Sequence, residues 1–387
     1  MPPPLSRSTL SLILFVALVG CDVASGGGDG TLSASGLLVG ERVALDGDLA
    51  VVGAVGSNKA FVFKRDADGW SPAVQLVPSV QIGPDPGFSQ ALDASDGVVV
   101  IGSPQYGIPL TAPVRAYVYE RAGAGWAETA LLLAERSDQG GGGGISVSVS
   151  GPRIALGAGG EACAPGPTGP ECGRIRVFER SSAGWALAAV VGNPAERPFV
   201  GFATDVALDG DRLASGVFTT IATDPSVPGR VYTFRPSGGT WAAEAYAEGP
   251  VGATRAFGRE GLALDGETLV VTDPIRRPNG AVYVFRWSGA AWALEAELTE
   301  PDLGGLATFG RQVDLDGDRL IVAVPGRSYD GRTSGAAFVY TRSSGGTWAR
   351  EAELRSPDGE VGFGRDVAIS GDRALVGRND SESDGRA

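Results

Sequence analysis

The sequence predicts an all-β chain that closes into a seven-bladed β-propeller of four-stranded antiparallel blades, the seventh incomplete at the C-terminus. Three observations carry that expectation. Gly and Pro together number 85 of 387 residues, about double average usage, so turns are frequent. One unit of strand, Gly-containing tight turn and strand recurs from residue 36 onward. Six tryptophans (Trp70, Trp126, Trp185, Trp241, Trp292 and Trp348) follow one another at intervals of 56, 59, 56, 51 and 56 residues. A period near 54 residues, long enough for four short strands, is that of propeller blades. Hydrophobic residues make up 43% of the chain, enough for a sizeable core, which excludes wholesale disorder.

The elements follow in chain order. Residues 1–20 are an address label. Arg7 supplies a positive start, and Leu10 to Gly20 is an apolar run too short to span a bilayer but suited to secretion. Leu18-Val19-Gly20-Cys21 resembles the lipobox of bacterial lipoproteins. That resemblance implies a diacylglyceryl group on the Cys21 thiol, cleavage before it and anchoring by more than one acyl chain. The competing reading is a cleaved signal whose Cys is incidental. Residues 21–35 are Gly/Ser-rich and read as a flexible tether. Export then favours a loop-stapling disulfide between Cys163 and Cys172 over a two-thiolate metal site, for which no His and no third Cys remains.

The propeller is assigned residues 36–387. Each unit opens on an apolar run and a tight turn, as in Val43-Ala-Leu-Asp46-Gly47 and Val313-Asp-Leu-Asp316-Gly317. Asp-Gly between apolar runs points to a type I′ hairpin. A second strand such as Arg319 to Ala323 follows, and then a loop of variable length. A third strand, such as Val282-Tyr-Val-Phe285, is apolar at nearly every position, as a sheet covered on both faces requires. The Trp opens the fourth strand, which mixes apolar and acidic residues as an outer edge should. The Trp series follows the repeat, so it is read as inter-blade packing in preference to a carbohydrate platform.

Phe257-Gly258, Phe309-Gly310 and Phe363-Gly364 at the unit starts resemble FG-GAP repeats, which build the propeller of integrin α subunits and many bacterial surface proteins. The resemblance implies a binding or adhesion role. It departs at one point: the integrin-type Ca²⁺ loop is replaced by a two-residue turn. Asp314, Asp316 and Asp318 should therefore be solvated or turn-forming carboxylates, and no Ca²⁺ or other cofactor is expected. Six units are complete. The chain stops where a third strand of the seventh should begin, so truncation or closure by Thr31–Val39 is expected.

Composition narrows function. The chain has no His, which removes Ser-His, Cys-His and His-metal chemistry. A net charge of -13 argues against nucleic acid as a partner. In an antiparallel four-stranded unit, the 2–3 and 4–1 connections share one end, and every long stretch falls there: 103–114, 134–144, 157–173, 192–201, 217–229, 272–279 and 325–335. Variable loops on one face of a rigid ring suit recognition of a protein or glycan ligand. The expectation is a membrane-anchored, extracytoplasmic, non-catalytic binding module. The rivals are a propeller enzyme of polysaccharide-lyase or glycosidase type and a structural envelope scaffold. Loop acids for the enzyme exist (Glu161, Glu171, Asp224, Asp273, Asp302, Asp330), but nothing in the sequence pairs two of them. Arg259, Arg311 and Arg365 each follow a Phe-Gly pair and should stand near one mouth of the central channel as a site for an acidic group. The alternative is local pairing with repeat acids such as Glu260 or Asp366.

Overall fold

A computed structural model describes residues 13–15, 40–67, 69–71, 73–80, 87–104, 113–123, 125–135, 145–161, 172–194, 200–219, 229–303, 307–356 and 361–378. Among them, six blades stand around a common axis. Each begins with an innermost strand: Val43–Asp46, Ala91–Ser95, Ile145–Ser150, Val200–Asp209, Leu262–Asp265 and Val313–Asp316. Each runs outward through antiparallel neighbours to an outer strand that carries or follows the Trp. In blade one that outer position is divided between Gly69–Trp70 and Val74–Leu76.

The expected count of seven blades is corrected: six are four-stranded. The seventh position holds only the hairpin Phe363–Ser370 and Arg373–Arg378, with Ile13–Phe15 added in parallel to the second strand. Two antiparallel strands are what this part of the sequence supplies before residue 379. The hairpin nevertheless closes the ring against blade one. Val43 N–H donates to Asp366 Oδ2 at 2.9 Å, Gly47 N–H to Ser370 Oγ at 3.0 Å, and Arg373 reaches Asp48 at 2.8 Å.

The hairpin turns also differ from expectation. Asp46 pairs with Leu49 and Asp316 with Arg319, so the two central residues are Gly-Asp and not Asp-Gly. Gly47 has φ 54° and Gly317 φ 59°, whereas the Asp that follows each stays at negative φ. Glycine alone at the first central position is the type II′ requirement. Blade two keeps the type I′ form, with Asp96 at φ 52° and Gly97 at φ 74°.

Packing between blades follows the repeat. Phe88, Phe202, Phe257, Phe309 and Phe363 are all fully buried. The glycine after Phe363 has φ 75°, and a Cβ there would lie 2.1 Å from the carbonyl oxygen of Ala336 in blade six. The Phe-Gly pair is thus an anchor followed by a close backbone approach. Trp241, Trp292 and Trp348 are buried against the preceding blade, as the packing reading requires. Trp185 Nε1 donates to Glu120 of blade two at 2.8 Å, and Trp292 Nε1 to Thr233 of blade four at 3.0 Å.

Candidate functional site: the central channel

The innermost strands of the six blades and the first strand of the closing hairpin line one cavity of about 850 Å³ on the ring axis. Three levels of side chains line it, because alternate residues of each strand share a face. At the hairpin-turn end, the last residue of six of the seven innermost strands accepts a hydrogen bond from the turn of the next blade. Asp46 accepts from Asp96 N–H, Ser150 from Gly210, Asp209 from Gly266, Asp265 from Gly317, Asp316 from Gly371 and Ser370 from Gly47, at 2.5–3.0 Å. The recurrent Asp is therefore a latch between blades.

A second set of latches lies deeper. Asp93 accepts from Val149 N–H at 2.8 Å and Ser148 from Leu208 at 3.1 Å. Asp205 accepts from Leu262 at 3.0 Å, and Asp314 from Ile369 at 2.7 Å. These carboxylates are half-buried and line the channel. The protein around the channel desolvates them, which outweighs the backbone N–H groups that favour the charge. Asp93 is raised to about 6, and Asp205 and Asp314 to about 7. Asp366 is raised for the same first reason. The expectation that Asp314 is solvated or turn-forming is corrected: it holds two blades together. Among the described residues no three acidic side chains converge as metal ligands do.

The long-loop end, where the innermost strands begin, carries the arginines. The channel brings Arg259 and Arg311 together, with Glu260 between them. Arg311 bonds Glu260 across the blade boundary, and Arg259 Nε lies 3.6 Å from the same carboxylate. Arg365 stands outside the channel lining and pairs with Glu41 at 3.5 Å. Each of the three thus has an acidic partner, and their mouth is not a bare cationic ring. Sequence reasoning missed Arg42 of blade one, because no Phe-Gly-Arg precedes it. Arg42 lines the channel, and its charge lowers the pKa of both Asp205 in blade four and Asp366 in the closing hairpin. Gln90, Thr204 and Gln312 complete this end. The signal that marked Arg42 is its alignment with Asp205 and Asp366, four residues before the turn acceptor.

Several anticipated residues lie elsewhere or outside the described residues. Cys21, Cys163, Glu171 and Asp224 fall outside them, as does most of the long-loop face. Cys172 is disulfide-bonded, and its N–H donates to the Glu161 carbonyl oxygen at 2.9 Å. Glu161 is buried against Arg174 and Arg176. Asp273 is buried and takes a hydrogen bond from the Thr254 hydroxyl at 2.6 Å. Asp302 sits in a short 3-10 turn and Asp330 in a hairpin at φ 50°. None of the four described acids, Glu161, Asp273, Asp302 and Asp330, lines the channel.

Residues 292–340, from the outer strand of blade five to the third strand of blade six, match the FG-GAP repeat family. A comparison with curated proteins returns no match. Among solved structures, a protein from Lactobacillus plantarum is similar over 87% of this chain and 87% of its own, at 14% identity and a TM-score of 0.53. The periplasmic gluconolactonase of Pseudomonas aeruginosa is similar over 81% of this chain and 85% of its own, at 15% identity and a TM-score of 0.50. At such identities the likeness is one of fold. It corrects the expectation of a non-enzymatic module, since this architecture serves an enzyme in Pseudomonas aeruginosa. The chain is an all-β propeller of four-stranded antiparallel blades with an FG-GAP repeat at residues 292–340.

Proposed function

We propose that this chain is an exported, lipid-anchored propeller that binds a polyhydroxylated, carbohydrate-class ligand at the long-loop end of its channel. The observation that carries the reading is the mixture of groups at that end. Arg42, Arg259 and Arg311 only donate hydrogen bonds, Glu260 only accepts, and Gln90, Thr204 and Gln312 do both. A sugar hydroxyl donates and accepts at once, so it uses such a set fully. A simple anion would leave the carboxylate opposed to it. Acidic sugars fit as well, through the forked guanidinium groups. In this reading residues 1–20 are removed, and with them the Ile13–Phe15 strand, which leaves the closing sheet as the hairpin alone; Cys21 carries the lipid, residues 21–35 span the distance from the membrane, and residues 36–387 form the ligand-binding body. A bridge from Cys163 to Cys172 staples one loop of the binding face.

A second reading is favoured by the fold shared with the gluconolactonase: hydrolysis of a sugar lactone at the same mouth. One set of preparations tests both. The full chain is titrated calorimetrically against neutral and uronic-acid oligosaccharides and assayed for acid release from sugar lactones. Paired Arg259→Ala and Arg311→Ala substitutions are expected to weaken binding about tenfold or more, the effect of losing a charged hydrogen bond. The melting temperature should fall only slightly, since Arg259 is 55% exposed and the Arg311 to Glu260 pair across the blade boundary is partly solvated. Absence of binding by the native chain, or equal binding by the variant, refutes the proposal. Acid release that disappears in the variant supports the second reading.

A further inference from the structure

The outer strand of blade three differs from the outer strands of the other blades. Gly184–Gly192 is nine residues long and forms the free edge of its sheet. No charged residue occurs from Ser181 to Ala195, in a chain where one residue in five is charged. The outer strands of blades four, five and six carry glutamates at the position where each strand bulges: Glu244, Glu295 and Glu351. Those glutamates are held by Arg212 and Arg235, by Arg342, and by Arg319. The bulge of blade three has Ala188 there instead. Beside it Leu187 is 52% exposed and Val190 39%. Blade one is also uncharged along its outer strand, but the longer of its two segments, Val74–Leu76, is three residues long; a proline follows the outer strand of both blades two residues on, Pro78 and Pro194. Edge strands are ordinarily protected by charge, shortness or proline, and within its nine residues Gly184–Gly192 has none of these protections.

We propose that this edge is where a second copy of the chain docks, the two Gly184–Gly192 strands pairing antiparallel about a twofold axis. Charge selects the occupant. Two copies of a chain with net charge -13 repel wherever acidic edges meet, and the uncharged fifteen-residue run lets them approach without like-charge contact. An isologous contact requires one patch to be its own complement. An apolar strand edge meets that requirement, since each copy offers unpaired backbone N–H and C=O groups and the Leu187 and Val190 side chains. Nine residues at about 3.3 Å each give an edge of roughly 30 Å, enough for a continuous ladder. The ligand end of the channel stays open in this arrangement, because the contact lies on the outer rim.

The test is the solution mass of the full chain, purified in detergent and measured by light scattering with the detergent contribution subtracted. A dimer is expected for the native chain. Leu187→Lys combined with Val190→Lys is expected to raise the dissociation constant at least tenfold while leaving the melting temperature in place. Leu294→Lys, at a comparably exposed site on blade five (44%), should leave the dimer intact. A monomeric native chain, a dimer that survives the double substitution, or equal dissociation by the blade-five control overturns the proposal.

Discussion

Asp314→Asn isolates the energetics of one inter-blade latch. In the native chain Asp314 joins blade six to the closing hairpin through Ile369 N–H at 2.7 Å and also accepts from Leu315 N–H at 2.9 Å. Its carboxyl has an ordinary value of 3.8 and is raised to about 7, first by burial and further by the charges of Asp93 and Asp366. The folded chain therefore binds this proton more tightly than the unfolded chain does. The associated stability is complete below pH 4 and is lost as pH rises towards 7. Between pH 5 and pH 8 a dry site would lose about 2.5 kcal/mol by linkage, and water in the channel reduces this to about 1–2 kcal/mol. Asparagine keeps an acceptor for Ile369 without a charge at any pH. Urea unfolding followed by tryptophan fluorescence at pH 5, 6, 7 and 8 reads the difference, because titrations beyond the coupled carboxylates Asp93 and Asp366 are shared. The variant should gain on the native chain by about 1–2 kcal/mol from pH 5 to pH 8. A constant offset across the range, or a variant that loses ground to the native chain as pH rises, refutes the reasoning.

Two further outcomes concern export. Cys21→Ser should move the protein from the membrane fraction to the soluble fraction in the native host; unchanged membrane partitioning removes the lipid from the proposal. A non-reduced digest of exported protein should yield one peptide linking Cys163 to Cys172. Replacing both with Ser should cost about 2.5–3 kcal/mol by loop-closure entropy, and two free thiols in exported material would contradict the bridge.

The fold was legible because a propeller repeats its instructions. The Trp interval, the Phe-Gly pair and the Gly-containing turn each recur, and each proved to have one physical role: packing on the preceding blade, close backbone approach and hairpin reversal. What was illegible is whatever depends on the neighbouring blade. Asp46, Asp209, Asp265 and Asp316 read as turn formers, yet each carboxylate also accepts from a residue some 50 positions later. The misplaced turn has the same origin: Asp-Gly was assigned to the reversal, while the Asp closes the strand and its side chain serves the next blade. The channel site depends on the same relation. Arg259 and Arg311 were visible as a series, but Glu260 couples them across a blade boundary where the deeper latch is absent, since Gly261 and Ala263 occupy its two positions. Blade one, with Arg42 and Ala44 at the equivalent positions, lacks that latch as well. The polar groups at the long-loop end thus gather where the repeat departs from its own pattern. A ring built from equivalent blades gains a distinctive site only at such departures, and Arg42, Glu260 and the uncharged rim of blade three are three of them.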